Sequence, residues 1–154
     1  MTPDDGRPIP GLYDSDFYAW TQQQARLLKA GRLSDVDMAH VIEEIEDLGK
    51  SDLRTCASFI ALIIEHFLKL EYFDRPEDFR HHRHEIGSFR VDLDAVLTNT
   101  LRRELQDDVQ TSYRRAVRRL KLHDYTVAGL PKNCPYSWEQ IIDDDWFPPP
   151  RAQT

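Results

Sequence analysis

The sequence predicts an all-α protein, a single helical bundle of about five main helices with a short C-terminal helix. Two observations point there. Apolar residues recur at spacings of three and four along most of the chain, which places them on one face of a helix. Strict alternation of apolar and polar residues, the mark of a half-buried strand, persists nowhere. The expected organisation is a flexible tail over residues 1–11, a bundle over 12–148 and a disordered tail over 149–154.

Each element has its own signals. The first helix is expected from Ser15 or Asp16, whose side chains can accept from free backbone N–H groups, through Phe17, Trp20, Gln24, Leu27 and Leu28 to Gly31. The second starts at "SDVD", with Ser34 as N-cap and Asp37 at the capping-box position. Met38, Val41, Ile42, Ile45 and Leu48 form its stripe, and Gly49 is expected to end it. The third runs from about Ser51 to Phe73 and is apolar around most of its circumference, as a central helix should be. "DRPED" then turns the chain. A fourth helix follows from Phe79, "TNT" at residues 98–100 breaks it, and a fifth contains Leu101, Leu105, Val109, Tyr113, Ala116, Val117 and Leu120. "HDYTVAGLPKNCP" reads as a loop, "YSWEQIIDDDW" as one short capped helix, and "FPPP" as its end. Trp146 and Phe147 are candidates to dock either onto the bundle or onto a second copy.

Composition narrows the function classes. The 154 residues are 40% hydrophobic and 31% charged, enough for one domain with a real core. No run of eighteen apolar residues occurs, so no membrane span is expected. The opening "MTPDDGRPIPG" does not read as a secretory signal, and two cysteines, Cys56 and Cys134, do not make a disulfide framework. A cytoplasmic location is expected. The net charge of −7 argues against a general nucleic-acid binder. The charge is uneven, with 16 acids and 8 bases over residues 1–78 but 6 acids and 10 bases over 79–123. The basic middle is expected to face acidic residues of the same chain.

Several stretches resemble a known family. "LYDSDFYAWTQQQARLLKAGRLSDVDMAHVIEEIEDLGKSDLR", residues 12–54, is similar to the opening of the bacterial family called domain of unknown function 29. "EHFLKLEY" resembles its histidine–leucine–leucine–lysine stretch, and "LPKNCPYSWEQIIDDDWFP" its closing segment. The chain departs from the pattern at Phe79, where the family tends to show tryptophan, and at "TNTL", where it tends to show serine–proline–serine–leucine. The resemblance implies an all-helical bacterial protein. It brings no activity, cofactor or catalytic residue.

The candidate sites therefore come from chemistry. "VIEEIEDLG" holds four carboxylates, but at 100° per residue they do not converge. Glu46 lies about 90° from the centre of the apolar stripe and Glu44 about 110° on the other flank, whereas Glu43 and Asp47 point away. The candidate functional cluster is Glu44, Glu46, His66 and Lys69, with His66 on an apolar flank of the third helix and in need of a hydrogen-bond partner. If helices two and three form a hairpin about Gly49–Lys50, Glu46 and His66 differ by roughly 18 Å in height. That leaves acids such as Asp14 or Asp16 as alternative partners. No Glu-x-x-His pair exists, so a carboxylate-bridged di-metal centre lacks its basic spacing.

A second candidate is His81, His84 and Glu85 in "RHHRHE", at helical spacing for zinc or nickel but without a fourth ligand and flanked by Arg80 and Arg83. A third is the ridge Arg114, Arg115, Arg118 and Arg119, with Tyr113 and Tyr125 as stacking groups, which suits a polyanion or salt bridges. No phosphate loop or nucleophile elbow occurs, and nothing lowers the pKa of Cys56 or Cys134. The leading expectation is a binding or regulatory module, without cofactor, working through contacts with a protein partner or in a homo-oligomer. The alternatives are a metal- or acid/base-dependent activity at His66 with a carboxylate, and nucleic-acid association through the fifth-helix arginines.

Overall fold

A computed structural model describes residues 8–73 and 75–151. It is all-α, with no strand among the described residues. The helices are α1 (Leu12–Ser15), α2 (Phe17–Lys29), α3 (Met38–Leu68), α4 (Phe79–Val96), α5 (Asn99–Gln106), α6 (Val109–Leu122) and α7 (Trp138–Ile142). The chain divides into two compact units, Met1–Lys50 and Ser51–Thr154, and α3 contributes to both.

In the first unit, Asp16 caps α2 by accepting from the amide of Ala19 at 3.0 Å. Gly31 ends the turn of chain after α2 in the left-handed region, φ 69°, where only glycine is free of strain. Ser34 does not cap the next helix. It lies in a 3₁₀ turn, Leu33–Asp35, and α3 begins at Met38. The carboxylate of Asp37 accepts from the amide of His40 and takes over the capping role. Tyr13 reaches Glu44 while Trp20 reaches Asp37, so the run α1–α2 passes antiparallel to the start of α3.

The expected break at Gly49 does not occur. Residues 38–68 form one 31-residue helix, and Gly49 keeps a helical backbone. A glycine stops a helix by entering the left-handed region. One that stays right-handed costs only about 1 kcal/mol relative to alanine. Neither proline nor a turn sequence follows it, and Lys50 pairs back to Asp47 at 3.1 Å. A five-residue π-helical turn, Lys69–Phe73, completes the expected span of the third helix.

The expected fifth helix is divided. Thr98 caps α5 by accepting from Leu101, and Asp107–Asp108 separate α5 from α6, where an aspartate is a poor helix-interior residue and a good terminator. The core of the second unit is built from Ile60, Ile63, Ile64 and Phe67 of α3, Ile86 of α4, Leu120 of α6 and Ile141 of α7, all fully buried. Ser137 and Gln140 form a reciprocal capping box on α7. Trp146 and Phe147 pack on this same core, with the Trp146 ring 5.2 Å from Phe67. Residues 1–7 and 152–154 of the expected tails lie outside the described residues. Arg151 is hydrogen-bonded to Glu71 through both its backbone and its guanidinium.

Candidate functional site

The amphipathic pattern of α3 predicts that Met38, Ile42, Ile45 and Leu48 turn inward. In the first unit they do not. Ile42 is 50% exposed, Ile45 62% and Leu48 69%, and Met38, Phe17 and Leu28 are also exposed. Among the described residues of the second unit only Val91, Val96 and Leu122 are comparably bare large hydrophobics. At 100° per residue the four α3 side chains fall within about 120° of one another, so they form a continuous stripe rather than scattered positions.

The polar neighbours of this stripe are tightly arranged. The hydroxyl of Tyr13 donates to Glu44 at 2.6 Å, and that hydrogen bond, with burial, pushes the Tyr13 pKa up to about 12. Nδ1 of His40 donates to Asp37 at 2.6 Å, which raises the histidine above its ordinary value and holds Asp37 below the usual carboxylate range. The Tyr13 ring stacks on His40 with centroids 3.9 Å apart, and Trp20 donates its indole N–H to Asp37. These contacts fix the side of α3 that faces α1 and α2. The apolar stripe lies beside them, with Glu46 on its other flank.

The second unit holds its polar groups inside. Nδ1 of His66 lies 2.9 Å from Nδ1 of His82, and both rings are buried. One ring must donate and the other accept, so the pair cannot be doubly protonated and keep this bond. Burial, then the charge of Lys69 and of His82, pushes the His66 pKa down to about 4. Glu65, 2% exposed, accepts from Arg119 at 2.6 Å and from Lys69 at 3.0 Å. Burial drives its carboxyl up, but those two cations outweigh it and hold the group below its ordinary value. Arg90, 3% exposed, donates to the carbonyls of Gln140, Ile141 and Trp146, each at 2.9 Å. Beside it a cleft of about 260 Å³ is lined by Arg102, Asp94 and Asp144 among others.

These features belong to a sequence whose residues 12–147 match the family model described as domain of unknown function DUF29. The chain belongs to that family. No curated protein and no solved structure matches it. DUF29 membership agrees with the resemblance in the opening and closing segments, and it assigns no residue a role.

Within this DUF29 fold the sequence-derived candidates part company. Glu44 and Glu46 sit in the first unit, and His66 and Lys69 in the second. Helix α3 runs unbroken from Met38 to Leu68, so the expected hairpin about Gly49–Lys50 is absent. His81 and His84 are exposed on α4, and Glu85 is half-buried. No three His, Cys, Asp or Glu side chains among the described residues are placed to hold a metal ion. Of the arginine ridge, Arg114, Arg115 and Arg118 are exposed, whereas Arg119 turns in to Glu65.

Sequence reasoning missed His82, Arg90, Glu65 and the Asp37–His40 pair. Arg90 had a signal: with Ile86 and Leu93 it follows the i, i+4, i+7 spacing of a buried face. His82 sits four residues before Ile86 on that same face. Burial pushes the thiols of Cys56 and Cys134 up, away from reactivity. Among the described residues, no helix is long and apolar enough to cross a membrane.

Proposed function

We propose that this DUF29 protein is a non-enzymatic binding module that works through protein–protein contacts made by the first unit. The observation behind this reading is the apolar stripe Met38, Ile42, Ile45 and Leu48, exposed on a helix whose adjoining side is held by the Tyr13–Glu44 and His40–Asp37 bonds. Exposed stripes of this kind, edged by polar groups, mark interaction sites. The rigid backing matters because a preformed face loses less conformational entropy on binding. The acid/base alternative has less support. His66 is engaged with His82, and the one carboxylate next to it in sequence, Glu65, already accepts from two cations. The nucleic-acid alternative rests on three exposed arginines in a chain of net charge −7.

Affinity capture tests the reading. Wild type and the double variant Ile42→Asp, Ile45→Asp, each tagged at the same end, are exposed to the same cell extract. Proteins retained by wild type and lost by a folded variant support the reading. Identical retained sets count against it.

A further inference from the structure

The charge around the exposed stripe narrows the kind of partner. Residues 12–16 and 38–48, the segments of α1 and α3 around the stripe, hold six carboxylates and no lysine or arginine. Glu44 is occupied by Tyr13 and Asp47 by Lys50, but Glu43 and Glu46 are exposed, and Glu46 flanks the apolar residues. A second copy of this chain pairing through the same face would therefore bring carboxylates against carboxylates. A lipid bilayer with anionic headgroups would be repelled in the same way. A helix with an apolar face and a basic flank matches both features at once, since its apolar side chains cover Ile42 and Ile45 while its cations meet Glu46 at the edge of the stripe.

We propose that the occupant of this face is a basic amphipathic helix of another protein, packed along residues 38–48 of α3. The proposal rests on the binding-module reading above and specifies its partner. Packing of this kind uses apolar anchors at i, i+3, i+4 and i+7, the spacing that Met38, Val41, Ile42 and Ile45 present from this side.

The full chain is titrated with a synthetic Leu/Lys peptide of helical period, a Leu/Glu peptide of the same apolar pattern and a scrambled Leu/Lys peptide. The expected result is saturable one-to-one binding of the Leu/Lys peptide, at least tenfold tighter than either control and weakened by salt. Ile42→Asp with Ile45→Asp should reduce that affinity at least tenfold, although it adds negative charge. Attraction by charge alone would instead be kept or strengthened by those substitutions, and that outcome overturns the proposal. Glu46→Lys should weaken binding of the Leu/Lys peptide and strengthen that of the Leu/Glu peptide. Equal affinity of all three peptides would also overturn it.

Molar mass by light scattering separates this failure from that of the broader reading. A wild-type dimer that Ile42→Asp, Ile45→Asp makes monomeric would mean that a second copy covers the face. The basic-helix proposal would then fall and the protein-contact reading would stand. A monomer whose peptide binding and captured proteins are both insensitive to these substitutions would remove both.

Discussion

Nη2 of Arg90 donates to the backbone carbonyl of Trp146 at 2.9 Å, across 56 residues of chain. The same guanidinium also takes up the carbonyls of Gln140 and Ile141, in the last turn of α7. Helix ends leave carbonyls without partners, and a buried end needs a donor from elsewhere. Arg90 supplies it, and its guanidinium also lies over the rings of Phe67 and Phe147. The closing segment shared with the family is thus tied to α4 through Arg90, and Arg83 of the same helix also lies over Phe147.

Replacing Arg90 should therefore loosen the C-terminal segment without touching the first unit. Arg90→Met leaves one buried and two partly buried carbonyls short of a donor, with an expected loss of about 3 kcal/mol. Arg90→Lys keeps the charge but not the planar fork, and should lose about 2 kcal/mol. Urea unfolding measures both. Amide exchange should speed up first around residues 138–146. Wild-type stability in Arg90→Met would contradict the role given to this residue.

His66 gives the protein a calculable response to acid. Its folded pKa lies at about 4, below the ordinary histidine value of about 6.5, so the unfolded chain binds this proton first. The stability that goes with neutral His66 is then fully present above about pH 6.5, is lost as pH falls toward 4, and falls no further below that. The size is on the order of 3 kcal/mol across the window. Unfolding measured from pH 4 to pH 7 should show this slope, and His66→Phe should flatten it. An unchanged slope in the variant would rule His66 out as its source.

The arginine ridge divides by what each residue touches. Arg119→Met removes one of two cations from a carboxylate that is 2% exposed and should cost about 1–3 kcal/mol. Arg114→Met and Arg118→Met, at exposed positions, should fall within about 0.5 kcal/mol of wild type. Chemical denaturation of the three variants side by side is the check. Equal effects would show that Glu65 does not single out Arg119.

Asp37 unites three roles in the first unit, as acceptor for His40, for the Trp20 indole and for the backbone at the start of α3. Asp37→Ala should lose about 1–2 kcal/mol, the usual range for removing a helix cap. It should also lower the His40 pKa, which its bond to Asp37 raises. Proton NMR titration of the histidines reads the second effect independently of stability. A His40 titration unchanged by the substitution would contradict the assigned pair.

The fold class was legible from spacing alone because the longer helices each have a periodic apolar face. The family was legible from the two ends of the chain. Three misreadings have physical causes. Gly49 was read as a stop, but a glycine ends a helix only when it turns left-handed, and sequence does not reveal that choice. The pair Asp107–Asp108 was passed over because the leucines and valines on either side keep one helical phase through it. His82 was overlooked beside His81 and His84, since a cluster of like residues hides which member points inward until the neighbouring Ile86 and Arg90 are read as one face. The exposed stripe of α3 was beyond the reach of pattern. Periodicity says that a face is apolar and is silent on what covers it.

If residues 38–48 of α3 take a basic amphipathic helix, isoleucine-methyl NMR during titration with the Leu/Lys peptide reads the contact at the face itself. The methyls of Ile42 and Ile45, which are 50% and 62% exposed, should shift saturably. Those of Ile60, Ile63, Ile64, Ile86 and Ile141, buried in the core of the second unit, should stay in place. Saturable binding that leaves Ile42 and Ile45 unmoved, or that shifts the core methyls instead, would contradict the account.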